Sequence, residues 1–233
     1  GLLDQGAGLV NAEAAVRSNI TVDPATISFG RITSTNLPTP RATLNINGDN
    51  WNASVDQTIP AAGVTIRTER RGSQLDVWLE GSLPQAGVYH GAIVITGGAV
   101  DLRVPYAFFV SDNVPATIVP LIGAGFWGGT GETLNGCTDA DTATGTPSLA
   151  FKLLDRFGIP ITTADNGAVI WNVLPGGPRA TITLADADTD VNGIAAACLT
   201  LGATEGYDTV RATVNYLGRQ LTYDFQGFTR YWP

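Results

Sequence analysis

Four oxygen-bearing side chains alternate along one short run of the chain, a spacing that could hold a cation. They are Asp186, Asp188, Asp190 and Asn192, within the run Asp-Ala-Asp-Thr-Asp-Val-Asn-Gly. Oxygen ligands at alternate positions suit a hard cation such as calcium. An EF-hand loop, however, requires Gly at its sixth position and Glu at its twelfth, where this chain has Val191 and Ala197. The run therefore predicts either a calcium site or a solvated hairpin turn that needs no ion.

A Gly-rich run, Gly123-Ala124-Gly125-Phe126-Trp127-Gly128, matches the G-x-G-x-x-G pattern of dinucleotide sites. Such a site also requires a preceding parallel strand and a helix that begins at the third Gly. Gly129-Thr130-Gly131 follows instead, which is poor helix-forming sequence. We therefore expect a flexible loop and no cofactor. Phe126 and Trp127 are candidates for stacking on a sugar at the surface, or else they fold over the edge of a sheet.

Two cysteines, Cys137 and Cys198, are the only thiols in the chain. Neither belongs to a CxxC motif, and a chain with a single histidine is a poor candidate for a Cys/His zinc site. Two cysteines allow only one pairing. The bond would tie a Gly- and Thr-rich insert, which contains Cys137, to a strand in which Cys198 lies out of phase with Leu199 and Leu201.

Composition limits the partners of the chain. Its 233 residues carry 13 Lys and Arg against 21 Asp and Glu, a net charge of −8. This argues against binding to nucleic acid or to anionic lipid. No apolar run is long enough to predict a membrane span. Charged residues make up only 15% of a chain rich in small and β-branched residues. Such a composition is typical of secreted β-rich modules, and the absence of Met indicates a processed or excised product.

Alternation of apolar and polar residues predicts strands after Arg17. Leu44 and Ile46 share one phase, and the long final run from Val100 to Val110 keeps another. Turn sequences such as Asn47-Gly48-Asp49-Asn50 separate the runs. About seven short strands in this part predict an immunoglobulin-like antiparallel sandwich.

The polar run from Ser111 to Pro115 predicts a domain boundary, because it contains Pro and follows a complete final strand. A second alternating pattern follows, in which Val169, Trp171 and Val173 share a phase. We therefore expect an all-β chain of two tandem immunoglobulin-like sandwiches after a short N-terminal helix. The expected boundaries are a helical stub over 1–19, a first sandwich over 20–113 and a second over 114–233.

The second sandwich resembles the bacterial Ig-like repeats of invasin and intimin type. The residues that carry the resemblance occur in the order Leu154-Asp155-Arg156-Phe157-Gly158-Ile159-Pro160, Val169-Ile170-Trp171, Thr189-Asp190-Val191-Asn192-Gly193-Ile194-Ala195, Leu199-Thr200-Leu201-Gly202 and Gly206-Tyr207-Asp208-Thr209-Val210-Arg211-Ala212. The match spans about residues 116–229. It departs from the family in the insert around 135–146 and in the cysteine pair. The Thr189–Gly193 segment coincides with a turn of the family, which favours the hairpin over the calcium loop.

Two further segments resemble parts of secreted subtilisin-like proteases. Gly87-Val88-Tyr89-His90-Gly91-Ala92-Ile93 with Val104-Pro105-Tyr106 is similar to the fibronectin-III-like modules that follow such catalytic domains. Gly6-Ala7-Gly8-Leu9-Val10-Asn11-Ala12, with Ala15-Val16, resembles the closing helix of the catalytic domain itself. The residues alone equally allow a short amphipathic helix packed on the next domain.

No catalytic residue is expected in the chain. A subtilase requires Asp, His and a Ser within a Gly-Thr-Ser motif, and that motif is absent from the sequence. The only histidine, His90, lies in the strand phase opposite Ile93 and Ile95, so it should face away from the core.

The resemblances imply a non-catalytic C-terminal accessory region of a secreted bacterial serine protease, acting as spacer, stabiliser or docking module. Its partners would be the protease domain and a surface, protein or polysaccharide substrate. The alternatives are a cell-surface adhesin fragment and a carbohydrate-binding module. Each of these places the chain outside the cell or on its surface.

Overall fold

The alternating sequence pattern produces strands throughout the described part of the chain. The structure, a computed structural model, describes residues 12–141 and 145–231 and contains sixteen strands within them. The chain divides into two compact units, Gly1–Asp112 and Asn113–Pro233. The all-β, immunoglobulin-like fold class expected from the sequence is confirmed.

From residue 12 onward, the first unit contains one short helix and two four-stranded sheets. Helix α1 (Ala12–Arg17) carries an i,i+4 ion pair in which Arg17 contacts Glu13 at 3.1 Å. Residues 1–11, which carry most of the predicted protease-like stub, lie outside the described residues. The strands are β1 (Thr21–Asp23), β2 (Ile27–Arg31), β3 (Ala42–Asn47), β4 (Asn52–Ile59), β5 (Val64–Arg71), β6 (Gln74–Gly81), β7 (Gly87–Thr96) and β8 (Leu102–Val110). They form the sheets β1-β3-β6-β5 and β2-β8-β7-β4.

The core of the first unit lies between these sheets. Leu44 and Ile46, which share a phase in the sequence, are both buried, as are Ile93 and Ile95 on the facing sheet. Trp51 is buried beneath the Arg70 guanidinium, which lies 3.8 Å from the ring centroid and donates a hydrogen bond to the Trp51 carbonyl. A cation–π contact between Arg70 and Trp51 therefore adds to the apolar packing that stabilises the first sandwich.

The second unit also consists of two four-stranded sheets, β10-β16-β15-β12 and β13-β14-β11-β9. Its strands are β9 (Thr117–Ile122), β10 (Gly125–Gly129), β11 (Leu149–Leu154), β12 (Val169–Val173), β13 (Thr181–Ala185), β14 (Ile194–Thr200), β15 (Gly206–Tyr216) and β16 (Arg219–Arg230). The core contains an aromatic cluster in which Trp171 lies 5.4 Å from Phe151 and 5.8 Å from Phe225, centroid to centroid. The in-phase Trp of the sequence thus faces the core.

One strand contradicts the sequence-based expectation. The Gly-rich run was expected to be a flexible loop, but residues Gly125–Gly129 form β10, which pairs in parallel with the last strand, β16. Glycine weakens a strand but permits close approach of a neighbour. Here the Phe126 ring lies directly against Gly227 of β16. Because Gly227 has no side chain, the ring fits there and the two strands can pair.

Candidate functional site

Three aromatic side chains occupy one cross-strand row on the outer face of the second unit. Trp127 on β10 pairs in register with Phe228 on β16, and Phe228 pairs with Tyr207 on β15. Cross-strand partners point to the same face of a sheet, so all three rings lie on one face. The Phe228 and Tyr207 rings contact each other edge to face, with centroids 4.8 Å apart. We call these three residues the aromatic row.

The aromatic row is exposed, whereas the residues that alternate with it are buried. Trp127 is 72% exposed and Tyr207 is 75% exposed, with Phe228 half-buried between them. Phe126, which precedes Trp127, faces the interior, and so does Asp208, which follows Tyr207. A large apolar side chain left in water forgoes about 1.5–3 kcal/mol of burial free energy. Adjacent exposed aromatics of this kind make the row a candidate interaction surface.

The two candidate sugar-stacking residues of the sequence take opposite positions. Trp127 is exposed, as that prediction requires, but Phe126 is only 6% exposed and belongs to the core. Phe126 is therefore not available for stacking on a sugar, because alternation along β10 sends neighbouring side chains to opposite faces. Tyr207 and Phe228 were not predicted as surface aromatics. The sequence contained a signal for both, because Tyr207 lies out of phase with the buried Val210 on β15, and Phe228 with the buried Phe225 on β16.

The row beside the aromatic row carries no charge. Gly125, Gln226 and Thr209 are the register partners there, on the same three strands. No atom lies within 4 Å of the position that a Cβ on Gly125 would occupy. This leaves a shallow open track next to Trp127, with an amide and a hydroxyl alongside it.

Further along the same face, Arg211 and Asp224 form an ion pair whose opposite charges cancel. Arg211 donates two hydrogen bonds to the carboxylate of Asp224, from Nε at 2.7 Å and from Nη2 at 2.8 Å. The hydrogen bonds from Arg211 hold the pKa of Asp224 below its ordinary value. On the other side of the row, strand β16 ends at Arg230, and the Glu205 carboxylate accepts a hydrogen bond from the Tyr231 N–H at 3.4 Å. Charges of both signs therefore frame the row without a net cationic patch.

The predicted calcium ligands make hydrogen bonds within the protein. Asp188 accepts from the Thr163 hydroxyl at 3.0 Å and from the Gly167 N–H at 3.1 Å, so it holds the loop that precedes β12. Asp190 accepts from the Ile194 N–H at 2.7 Å and from the N–H of Asn192 at 2.8 Å, which closes a tight turn. Within residues 12–141 and 145–231, no group of three or more His, Cys, Asp or Glu is placed to hold a metal ion.

Asp186 differs from these residues because its charge is opposed by its surroundings. Burial raises the pKa of Asp186 above its ordinary value, against a stabilising hydrogen bond from the Ala196 N–H at 2.8 Å. The carboxylates of Asp141, Asp190 and Asp139 raise the pKa further. Asp141, Asp186 and Asp190 line an open depression of about 480 Å³, so calcium binding at the predicted run remains a testable prediction.

Replacing Asp186 by Asn is expected to stabilise the second unit at pH 7. The pKa of Asp186 is higher in the folded state than in the unfolded chain, so the ionised carboxylate destabilises the fold above the folded pKa. This destabilisation fades as the pH falls through the folded pKa toward the unfolded value. Asn keeps an oxygen acceptor for the Ala196 N–H. Calorimetry should therefore show a higher Tm at pH 7 and no difference near pH 3.

The same pair of proteins tests the calcium prediction. An ion bound at Asp186 would raise the Tm of the wild-type protein more than that of Asp186→Asn at millimolar calcium. Equal responses contradict calcium binding at this residue. A variant that is less stable than wild type at pH 7 contradicts the proposed repulsion.

The two cysteines are joined in a disulfide that attaches the insert to the sandwich. The Cα atoms of Cys137 and Cys198 lie 5.4 Å apart, and both residues are buried. On the outer face of their sheet, Ala150 and Ala196 pack against Ala140 of the insert. The insert therefore covers this face, and β14 is buried on both sides.

His90, the one histidine of the sequence, is half-buried in the first unit. It lies on β7, where its register partners are Ile59 on β4 and Ala107 on β8. Neither partner supplies a carboxylate or a hydroxyl, the groups that would orient or use a catalytic imidazole.

No protein-family profile and no curated protein matches this sequence. Among solved structures, the chain is similar to the D00–D0 domain of intimin, with 12% identity, a TM-score of 0.31 and coverage of 89% of this chain and 98% of that one. It is similar to a titin Ig tandem, with 11% identity, a TM-score of 0.30 and coverage of 92% and 97%. It is also similar to an endo-fucoidan hydrolase, with 10% identity, a TM-score of 0.34 and coverage of 97% and 30%. Among the described residues, no helix is long and apolar enough to cross a membrane.

Proposed function

We propose that this chain is a non-catalytic accessory region of a secreted protein and that it docks that protein to a polymer or a surface. The aromatic row carries the proposal, because Trp127 and Tyr207 are held out of the core on paired strands. A rigid sheet positions such side chains more accurately than a loop does. The single histidine and its apolar neighbours on β4 and β8 support a role in binding without catalysis.

An extracellular location supports this role. The Cys137–Cys198 disulfide suits an oxidising compartment. The low charge content is typical of secreted β-rich modules. In this proposal the first sandwich acts as a spacer or stabiliser and the second as the docking module.

The proposed parent is a subtilisin-like serine protease. Its support is the resemblance of residues 6–16 to the closing helix of that catalytic domain, together with the fibronectin-III-like segment around Tyr89 and Tyr106. The catalytic domain would then be the principal partner of this chain, and docking would keep it close to its substrate.

An adhesin fragment is the second candidate. The resemblance of residues 116–229 to invasin- and intimin-type repeats favours it. In that case the aromatic row would contact a protein on another cell, and binding to a protein ligand would distinguish the two functions.

The purified chain is expected to release no peptides from casein and to remain unlabelled by a fluorophosphonate probe. It lacks the Gly-Thr-Ser motif, and its one histidine faces two apolar register partners. If this chain belongs to a longer subtilase, that protein is the positive control and should be labelled. Specific labelling of the chain itself would contradict a non-catalytic role.

A further inference from the structure

We propose that the aromatic row binds a neutral polysaccharide in an extended conformation, with sugar rings stacked on Trp127 and Tyr207. This inference rests on the proposed docking function and names its ligand. It is carried by the spacing of the row, the absence of net charge around it and the open track beside it.

The spacing of the row suits a chain of sugars. Trp127 and Tyr207 lie on strands that flank β16, so their backbones are two inter-strand spacings apart, about 9–10 Å. This distance is close to the length of a disaccharide unit in an extended polysaccharide. The apolar face of a pyranose ring packs on an aromatic ring much as a nucleobase does.

The charges near the row favour a neutral ligand. The row on one side, Gly125, Gln226 and Thr209, is uncharged. Beyond it, two hydrogen bonds join Arg211 to Asp224. On the other side, Arg230 lies in register with Gly129, and the next residue, Tyr231, donates its N–H to the Glu205 carboxylate. Recognition of a sulfated or carboxylated polymer requires unpaired cationic groups. The chain instead carries a net charge of −8, which repels a polyanion.

The open track gives the ligand a place to lie. A Cβ on Gly125 would contact no atom within 4 Å, so the surface beside the Trp127 ring is not covered by protein. The side chains of Gln226 and Thr209 border this track and can exchange hydrogen bonds with sugar hydroxyls.

The shape of the surface favours a polysaccharide over a protein partner. A stable protein interface buries about 800 Å² on each side around an apolar core. The aromatic row is a single residue wide, with Gln226 and Thr209 on one side and the end of β16 at Arg230 on the other. A narrow apolar strip between polar borders matches one polymer chain.

The test is affinity electrophoresis of the full chain in gels that contain a soluble polysaccharide. The neutral probes are hydroxyethyl-cellulose, galactomannan and arabinoxylan, and carboxymethyl-cellulose is the anionic counterpart of the first. We expect at least one neutral probe to retard the wild-type chain, with little dependence on salt. Trp127→Ala and Tyr207→Ala should each weaken that retardation about tenfold or more.

Two further variants separate the row from the rest of the face. Ile170→Ala removes another exposed apolar side chain from the same face, at β12, and should leave retardation unchanged. Gly125→Val adds a side chain where the backbone has room for it and should weaken retardation by filling the track. All four variants alter exposed positions, so each should keep the wild-type Tm.

Retardation by no neutral probe overturns the inference. Retention on immobilised gelatin or casein that is lost with Trp127→Ala would also overturn it, while leaving the docking function intact with a protein ligand. A chain bound by neither polysaccharides nor proteins would contradict both. Stronger retardation by carboxymethyl-cellulose than by hydroxyethyl-cellulose contradicts the neutral ligand.

Discussion

Loss of the Cys137–Cys198 disulfide is expected to destabilise the second unit by about 4 kcal/mol. The bond closes a loop between residues 61 apart, and in the chain-entropy model a loop of this size restricts the unfolded state by about that amount. A second contribution comes from the folded state. Without the bond, the insert is held less firmly over Ala150 and Ala196, and the apolar face of β14 becomes more accessible to water.

Calorimetry with and without reductant measures this effect. We expect the transition of the second unit to fall in temperature, while that of the first unit, which contains no cysteine, stays constant and serves as the internal control. The double variant Cys137→Ala, Cys198→Ala should reproduce the reduced protein, since alanine is small and apolar and both positions are buried. Two titratable thiols in denatured, unreduced protein would show that the bond is not formed.

The sequence predicted which residues of strand β14 face the core, but not what packs on the opposite face of that strand. Alternation correctly assigned Leu199 and Leu201 to the core and placed Cys198 on the opposite face. It could not show that this opposite face is buried too. This face is covered by the insert that contains Cys137, which is remote in sequence. Alternation separates the two faces of a strand, but it does not show what packs against each face.

The aromatic row shows the same limit. Trp127 was one of two candidate surface aromatics in a local pattern, and the alternation of side chains could also have identified Tyr207 and Phe228 as facing outward. Their meeting in one row depends on the parallel pairing of β10 with β16 and on the register of β15 with β16. Register between distant segments is set by tertiary packing, so the site could not be assembled from the sequence.

The spacing of the predicted calcium-binding run is compatible with two structures, a cation site and a hydrogen-bonded turn. Alternate Asp and Asn residues suit a cation, but the same short side chains also accept hydrogen bonds from nearby backbone N–H groups in turns. Asp190 and Asp188 make such bonds here. Burial and the carboxylate of Asp190 already oppose the charge of Asp186, and Asp139 and Asp141, on the remote insert, add a repulsion that the run alone could not show.

Gly227→Ala is expected to destabilise the second unit by about 2–4 kcal/mol, the range for a lost or overpacked core aromatic. A Cβ at this position would lie 2.0 Å from Cδ2 and 2.3 Å from Cε2 of the Phe126 ring. Atoms cannot approach so closely, so the ring must leave its site in the core. Phe126 lies on β10, and its displacement should weaken the pairing that holds Trp127 in the aromatic row. Neutral polysaccharide should therefore retard this variant less, although every residue of the row is retained.

Chemical denaturation of five proteins, a double-mutant cycle and one control, identifies the clash as the cause. Gly125→Ala is the matched control, because this residue also belongs to the β10–β16 ladder yet has open space at its Cβ; its stability should stay near that of wild type. In a double-mutant cycle, Gly227→Ala should add little in the Phe126→Ala background, where no ring remains to be displaced. If the two substitutions add fully, their effects are independent. Phe126 then does not couple the core to the aromatic row.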